Sequence, residues 1–169
     1  MDVSPRIAAV AAVVGLVALV PACGLSRACT AMGGSSGVTV WVAPDLAPVV
    51  PTARIRDEPQ PSGLSVRVCL RESCHDVPVD VIPTQNPQRP RAWVPLDALP
   101  SEPVTVRVTL LRAATGAALV GPQDVEVHPV SHAVNGPGCG PVVQGAAVLI
   151  ERNGIREGSL EGPGPGGTP

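Results

Sequence analysis

The chain has 169 residues, enough for one domain with an appendage and too short for two sizeable cores. Its composition is lopsided, with 21 Pro, 18 Gly, 12 basic residues that are all Arg, two Trp, and neither Phe nor Tyr. A formal charge of −2, mixed in sign along the chain, offers no field for a phosphate backbone, and the lack of aromatics removes the stacking platforms that single strands need, so nucleic acid is not an expected partner.

A core here must be built from Val, Leu, Ile and Ala. Branched side chains suit a pleated surface, and frequent Pro and Gly supply turns, so the expected class is all-β.

Residues 1–22, MDVSPRIAAVAAVVGLVALVPA, have the three-part layout of a secretory signal peptide: Arg6 in a polar start, an apolar run from Ile7 to Val20, then small residues. The run is shorter than the roughly 20 residues that span a bilayer as a helix. A cleaved signal peptide is therefore expected, and not a permanent span. The segment ends Val20-Pro21-Ala22-Cys23, which resembles the lipobox of bacterial lipoproteins, with Pro21 in place of the usual small residue. A lipobox implies a thioether-linked diacylglycerol on Cys23, where each buried methylene contributes about 0.8 kcal/mol. A further acyl chain, such as palmitate, can add to it.

The five cysteines are Cys23, Cys29, Cys69, Cys74 and Cys139. An odd count in an exported chain leaves a thiol to explain, and lipidation of Cys23 leaves an even set for an oxidising compartment. Proximity pairs Cys69 with Cys74 and Cys29 with Cys139. The second bridge would close a loop of about 110 residues, worth about 4–5 kcal/mol in the chain-entropy account.

Residues 23–36 read as a lipidated tether and 37–152 as the β domain. Val38, Val40 and Val42 alternate with Thr39 and Trp41 as a half-buried strand. From Pro44 to Gly63 prolines interrupt any period, and an edge strand or a short helical turn is expected somewhere in that stretch. Leu64, Val66 and Val68 alternate with Ser65, Arg67 and Cys69, and Val77, Val79 and Val81 alternate with Cys74, Asp76 and Asp80. These two runs form an expected hairpin across CLRESC. By parity both thiols fall on its polar face, opposite the valines, where a cross-strand pair can meet. A redox switch would more typically be Cys-x-x-Cys at a helix start, and zinc would need a second ligand pair, so a structural staple is expected.

Arg91 to Leu96 suggests a short strand carrying Trp93, with Pro95 marking an edge or a strand end. Val104, Val106, Val108 and Leu110 form the clearest strand, Ala113 to Ala117 turn the chain, and Val125 and Val127 begin the return. A last strand runs through Gln144 to Ile150 and ends at Asn153-Gly154. Residues 153–169 read as a disordered Gly- and Pro-rich tail. About seven strands with intervening turns suggest an immunoglobulin-like β-sandwich, although the antibody-type Cys–Trp–Cys spacing is missing.

The lipobox, Cys29-Thr30-Ala31-Met32-Gly33 before the first valine strand, the Cys69–Cys74 hairpin and Asn135-Gly136-Pro137-Gly138-Cys139-Gly140 before the last strand together resemble a group of uncharacterised secreted lipoproteins of actinobacteria. That resemblance covers roughly residues 23–152. It implies a surface-anchored β domain and no known activity.

No chemistry-bearing motif is complete. Gly33-Gly34-Ser35-Ser36-Gly37 matches the G-x-S-x-G elbow in letters but leads into a strand where a helix is required. His75, His128 and His132 lack ligand-pair spacing, and the glycines around Cys139 lack the lysine of a phosphate loop. Pro87-Gln88-Arg89-Pro90 reads as a connecting loop, and Asp76 with Asp80 as a solvated sheet face more than a glycosidase pair. No catalytic set, metal or cofactor is expected. The sequence reads as a membrane-anchored, non-enzymatic binding or structural module with a protein or cell-wall partner, the alternative being an extracytoplasmic hydrolase or metal-binding accessory protein using loop His and Asp residues.

Overall fold

A computed structural model describes residues 33–47, 60–82, 89–136 and 138–162. The expected signal peptide, Cys23, Cys29 and residues 163–169 lie outside the described residues, as do 48–59 and 83–88.

The described chain is all-β. Its nine strands are β1 (Gly37–Val42), β2 (Gln60–Leu70), β3 (Ser73–Ile82), β4 (Arg89–Pro95), β5 (Val104–Arg112), β6 (Ala118–Val127), β7 (Val130–Ala133), β8 (Val142–Glu151) and β9 (Gly154–Glu157). They form one nearly closed sheet in the order β6-β5-β2-β3-β4-β1-β8-β7, with β9 also paired to β8. All pairings are antiparallel except β1 with β8, which run parallel from Gly37↔Gly145 to Val42↔Ile150.

Alternation explains why these segments become strands and where the core sits. Val38, Val40, Val66, Val68, Val79, Val94, Val106, Val108, Val127 and Val148 all turn to one side and join a single buried cluster with Leu110 and Ile150. Each such side chain contributes roughly 1.5–3 kcal/mol on burial, so many small residues replace a few aromatics. On the opposite side, Trp41, Ala147 and Leu149 form a second small cluster under Leu160.

The strand count exceeds the expected seven because two four-residue strands carry no readable period. In β7 every residue is exposed and Pro129 precedes it, so nothing alternates. β9 lies inside the stretch assigned to a disordered tail, which is a correction: Arg152-Asn153 is a two-residue hairpin turn, with Glu151 opposite Gly154 and Ile155 buried. Beyond β9, the Trp41 indole Nε1 donates to the Ser159 carbonyl at 3.0 Å, so the folded part extends past the expected boundary at 152.

Three other boundaries differ from the expectation. β2 begins at Gln60 and not at Leu64, accommodating Pro61 through a register shift between Pro61 and Ser65 and a positive φ of 75° at Gly63. β4 is internal, but its two sides are paired over different stretches, Arg89–Arg91 with β3 and Arg91–Pro95 with β1, and Pro95 closes it. The β2–β3 connection is a two-residue turn, Arg71-Glu72, because the ladder continues beyond the cysteines to Leu70↔Ser73.

Registers place several features at one end of the sheet. The start of β1 (Gly37↔Pro95, Gly37↔Gly145), the β2–β3 tip, the start of β5 (Val104↔Val127) and the start of β8 (Ala133↔Val142) all lie there. The turns at 113–117 and 152–153 lie at the other end.

Candidate functional site

The hairpin tip follows from its residues. Cys69 and Cys74 stand directly opposite one another and are disulfide-bonded, with S–S 2.06 Å and Cα–Cα 4.0 Å. The staple is thus present, on the face opposite Val66, Val68 and Val79. Arg71, the first of the two turn residues, has a φ of 56°, a left-handed conformation where glycine is the usual choice.

The outer face around the disulfide is an ordered polar array. In register across β6, β5, β2 and β3 lie Asp124, Arg107, Cys69 and Cys74. The adjacent row carries Thr109, Arg67 and Asp76. Arg67 forks onto Asp76 through two hydrogen bonds of 2.7 and 2.6 Å, and Arg107 onto Asp124 at 2.7 and 3.0 Å. These donated hydrogen bonds hold the Asp76 and Asp124 carboxyls below the usual carboxylate range, while both arginines are raised. Asp76 is thereby committed to Arg67, and Asp80 lies opposite Arg91. Four residues along a strand separate the two carboxylates by roughly 13 Å, beyond the spacing of a glycosidase pair.

On the interior side of the same tip is a cleft of about 560 Å³. Leu70, Leu96 and Val104 form its apolar floor; Arg71, Glu72, Ser73, His75 and Asp97 contribute the polar rim. Two local features shape it. Period-2 alternation turns Ser73 and His75 to the same side of β3 as Val77 and Val79 but one step beyond the core, at the open end. After β4, the Leu99 N–H donates to the Leu96 carbonyl at 3.0 Å, a turn that seats Leu96 inside and leaves Asp97 and Ala98 exposed. The Ser73 hydroxyl and His75 Nε2 are 3.4 Å apart. An apolar concavity with a few convergent polar groups is the usual form of a small-ligand site.

The other residues singled out by sequence are scattered. The backbone N–H of His128 donates to Glu157 Oε1 at 2.6 Å, and its Nδ1 lies 3.1 Å from Glu157 Oε2, tying the end of β6 to β9. His132 lies on β7 against Gly145, where an added Cβ would meet its ring. Among the described residues no three His, Cys, Asp or Glu side chains gather as a metal set. Ser35 is exposed and leads into β1, so the G-x-S-x-G letters acquire no elbow. Ser36 is structural: its carbonyl accepts from Leu96 N at 2.9 Å and its hydroxyl accepts from Gln144 N at 3.0 Å. Cys139 is buried and disulfide-bonded, while its expected partner Cys29 lies outside the described residues.

Sequence reasoning missed Ser73 and Asp97. The Ser-x-His spacing on a strand was a readable signal for a shared face; the approach of the 96–100 turn depends on the β4–β1 register and has no local trace. Comparison of the chain with family models, with curated proteins and with solved structures gives no match.

Proposed function

We propose that the chain is an exported lipoprotein, related to the secreted actinobacterial lipoproteins it resembles, held at the extracytoplasmic face of the cell membrane by a lipid on Cys23. Its β domain acts as a non-enzymatic binding module. The observation that carries the binding role is the cleft at the open end of the sheet, an apolar floor rimmed by Arg71, Glu72, His75 and Asp97. The anchor is supported by the export signal and Val20-Pro21-Ala22-Cys23. Pairing of Cys29 with Cys139 belongs to the same reading and leaves Cys23 for the lipid. So does an immunoglobulin-like sandwich, supported by the one core cluster that gathers β1, β2, β5 and β8 from opposite parts of the sheet.

Membrane fractionation tests the anchor. The wild type is expected in the membrane fraction and the Cys23→Ser form in the soluble or released fraction; retention of that variant on the membrane contradicts the anchor.

A second reading, an extracytoplasmic hydrolase, is favoured by the Ser73–His75 approach in the same cleft as Asp97. A fluorophosphonate probe distinguishes the two. Labelling that is lost in Ser73→Ala supports the hydrolase, and no labelling of the folded protein supports the binding module.

A further inference from the structure

We propose that the end of the domain bearing the Arg71-Glu72 tip and the 96–100 turn faces the bilayer, with the lipid surface as its partner, so that the cleft opens onto the membrane. This orientation rests on the reading of Cys23 as the anchor.

The chain enters the domain at this end. Ser36 is fixed at this end by hydrogen bonds to Leu96 and Gln144, and Gly37 pairs with Pro95 and Gly145 beside it. Ten peptide links join Cys23 to Gly33, and they reach at most about 36 Å whatever their conformation. β2 and β3 have 11 and 10 residues, so the sheet is about 33 Å long. To place the 113–117 and 152–153 turns on the bilayer, the tether would have to run the whole length of the domain at nearly full stretch. With the tip toward the bilayer the same links have length to spare.

The surface at this end suits a lipid interface of low charge. Val142 and Val130, 62% and 52% exposed, lie on β8 and β7 at or near it. Arg71 is outnumbered by Glu72, Asp97 and Glu102, so anionic headgroups repel this end and do not draw it to the bilayer. The orientation is therefore set by the tether and not by charge, and should be clearest on neutral vesicles.

The test uses the full lipidated protein on phosphatidylcholine vesicles, with and without phosphatidylglycerol, containing a rhodamine-labelled lipid as energy acceptor. A fluorescent amino acid is introduced at Ala98 in one sample and at Ala114 in another, both exposed turn positions at opposite ends. With the two ends roughly 30 Å apart, transfer from position 98 is expected to be at least about twofold stronger than from position 114 on phosphatidylcholine alone, and no stronger when phosphatidylglycerol is added. Co-flotation with equal transfer, or stronger transfer from 114, overturns the orientation and leaves the anchor standing. Failure to co-float removes the anchor and the orientation with it.

Discussion

The side-chain amide of Gln123 on β6 makes both hydrogen bonds that a neighbouring strand would make to Ile155 on β9: its Nε2 donates to the Ile155 carbonyl at 2.6 Å, and its Oε1 accepts from the Ile155 N–H at 2.9 Å. β6 and β9 have no backbone ladder between them, and this clamp stands in its place. Ile155 is itself buried, so loss of the amide strands two backbone groups. Gln123→Ala should cost about 1–3 kcal/mol, read as a lower urea midpoint at unchanged m-value. Gln123→Glu keeps the shape but loses the donor, and should be the less stable of the wild-type and Glu forms at neutral pH.

The second cluster depends on residues that composition alone assigned to a tail. Trp41 is 5% exposed because Leu160 packs over it and Ser159 accepts its indole N–H. Leu160→Ala should shift the tryptophan emission to the red and lower stability by about 1–2 kcal/mol, since Leu160 is only half-buried. Unchanged emission would mean that the segment does not cover Trp41.

What the sequence made legible, and what it did not, follows from the range of the forces involved. Parity alone put Cys69 and Cys74 on the polar face and the valines of β2 and β3 inside, because a strand's period is local and the core is one-sided. β7 and β9 are close in sequence to β8, their partner, but four residues are too few to show a period. Asn153-Gly154 was a strong hairpin signal whose partner strand, Gly-Ile-Arg-Glu, has one apolar residue. The cleft was invisible for a different reason: Leu96 and Asp97 reach Ser73 and His75 only through the order of the sheet.

At the hairpin tip, the disulfide closes a loop of only a few residues, which in the chain-entropy account is worth about 2 kcal/mol. Cys69→Ala with Cys74→Ala should lose about that amount in thermal or urea unfolding, with the strand content intact because Val66, Val68 and Val79 hold the hairpin from the other face. Arg71→Gly should gain about 1 kcal/mol by relieving the left-handed backbone.

The two Arg–Asp forks have a signed pH dependence. Asp76 and Asp124 titrate below their ordinary range in the folded protein, so the forks contribute fully above the unfolded carboxylate pKa. That contribution is lost as pH falls through the lowered folded values. Both pairs are about half exposed, so salt should weaken them as well. Melting of the wild type against Asp76→Asn with Asp124→Asn should show a gap at pH 7 that closes on acidification toward the lowered values; a gap that widens in acid contradicts the pairing.

Intact mass analysis of the mature protein, purified from its membrane fraction, reads out whether the β domain hangs from the membrane by a lipid on Cys23. The expected species is a chain beginning at Cys23 and carrying the mass of a diacylglyceryl group, with Cys69 joined to Cys74 and Cys29 to Cys139. A chain beginning at another residue, or an unmodified thiol at Cys23, would contradict it.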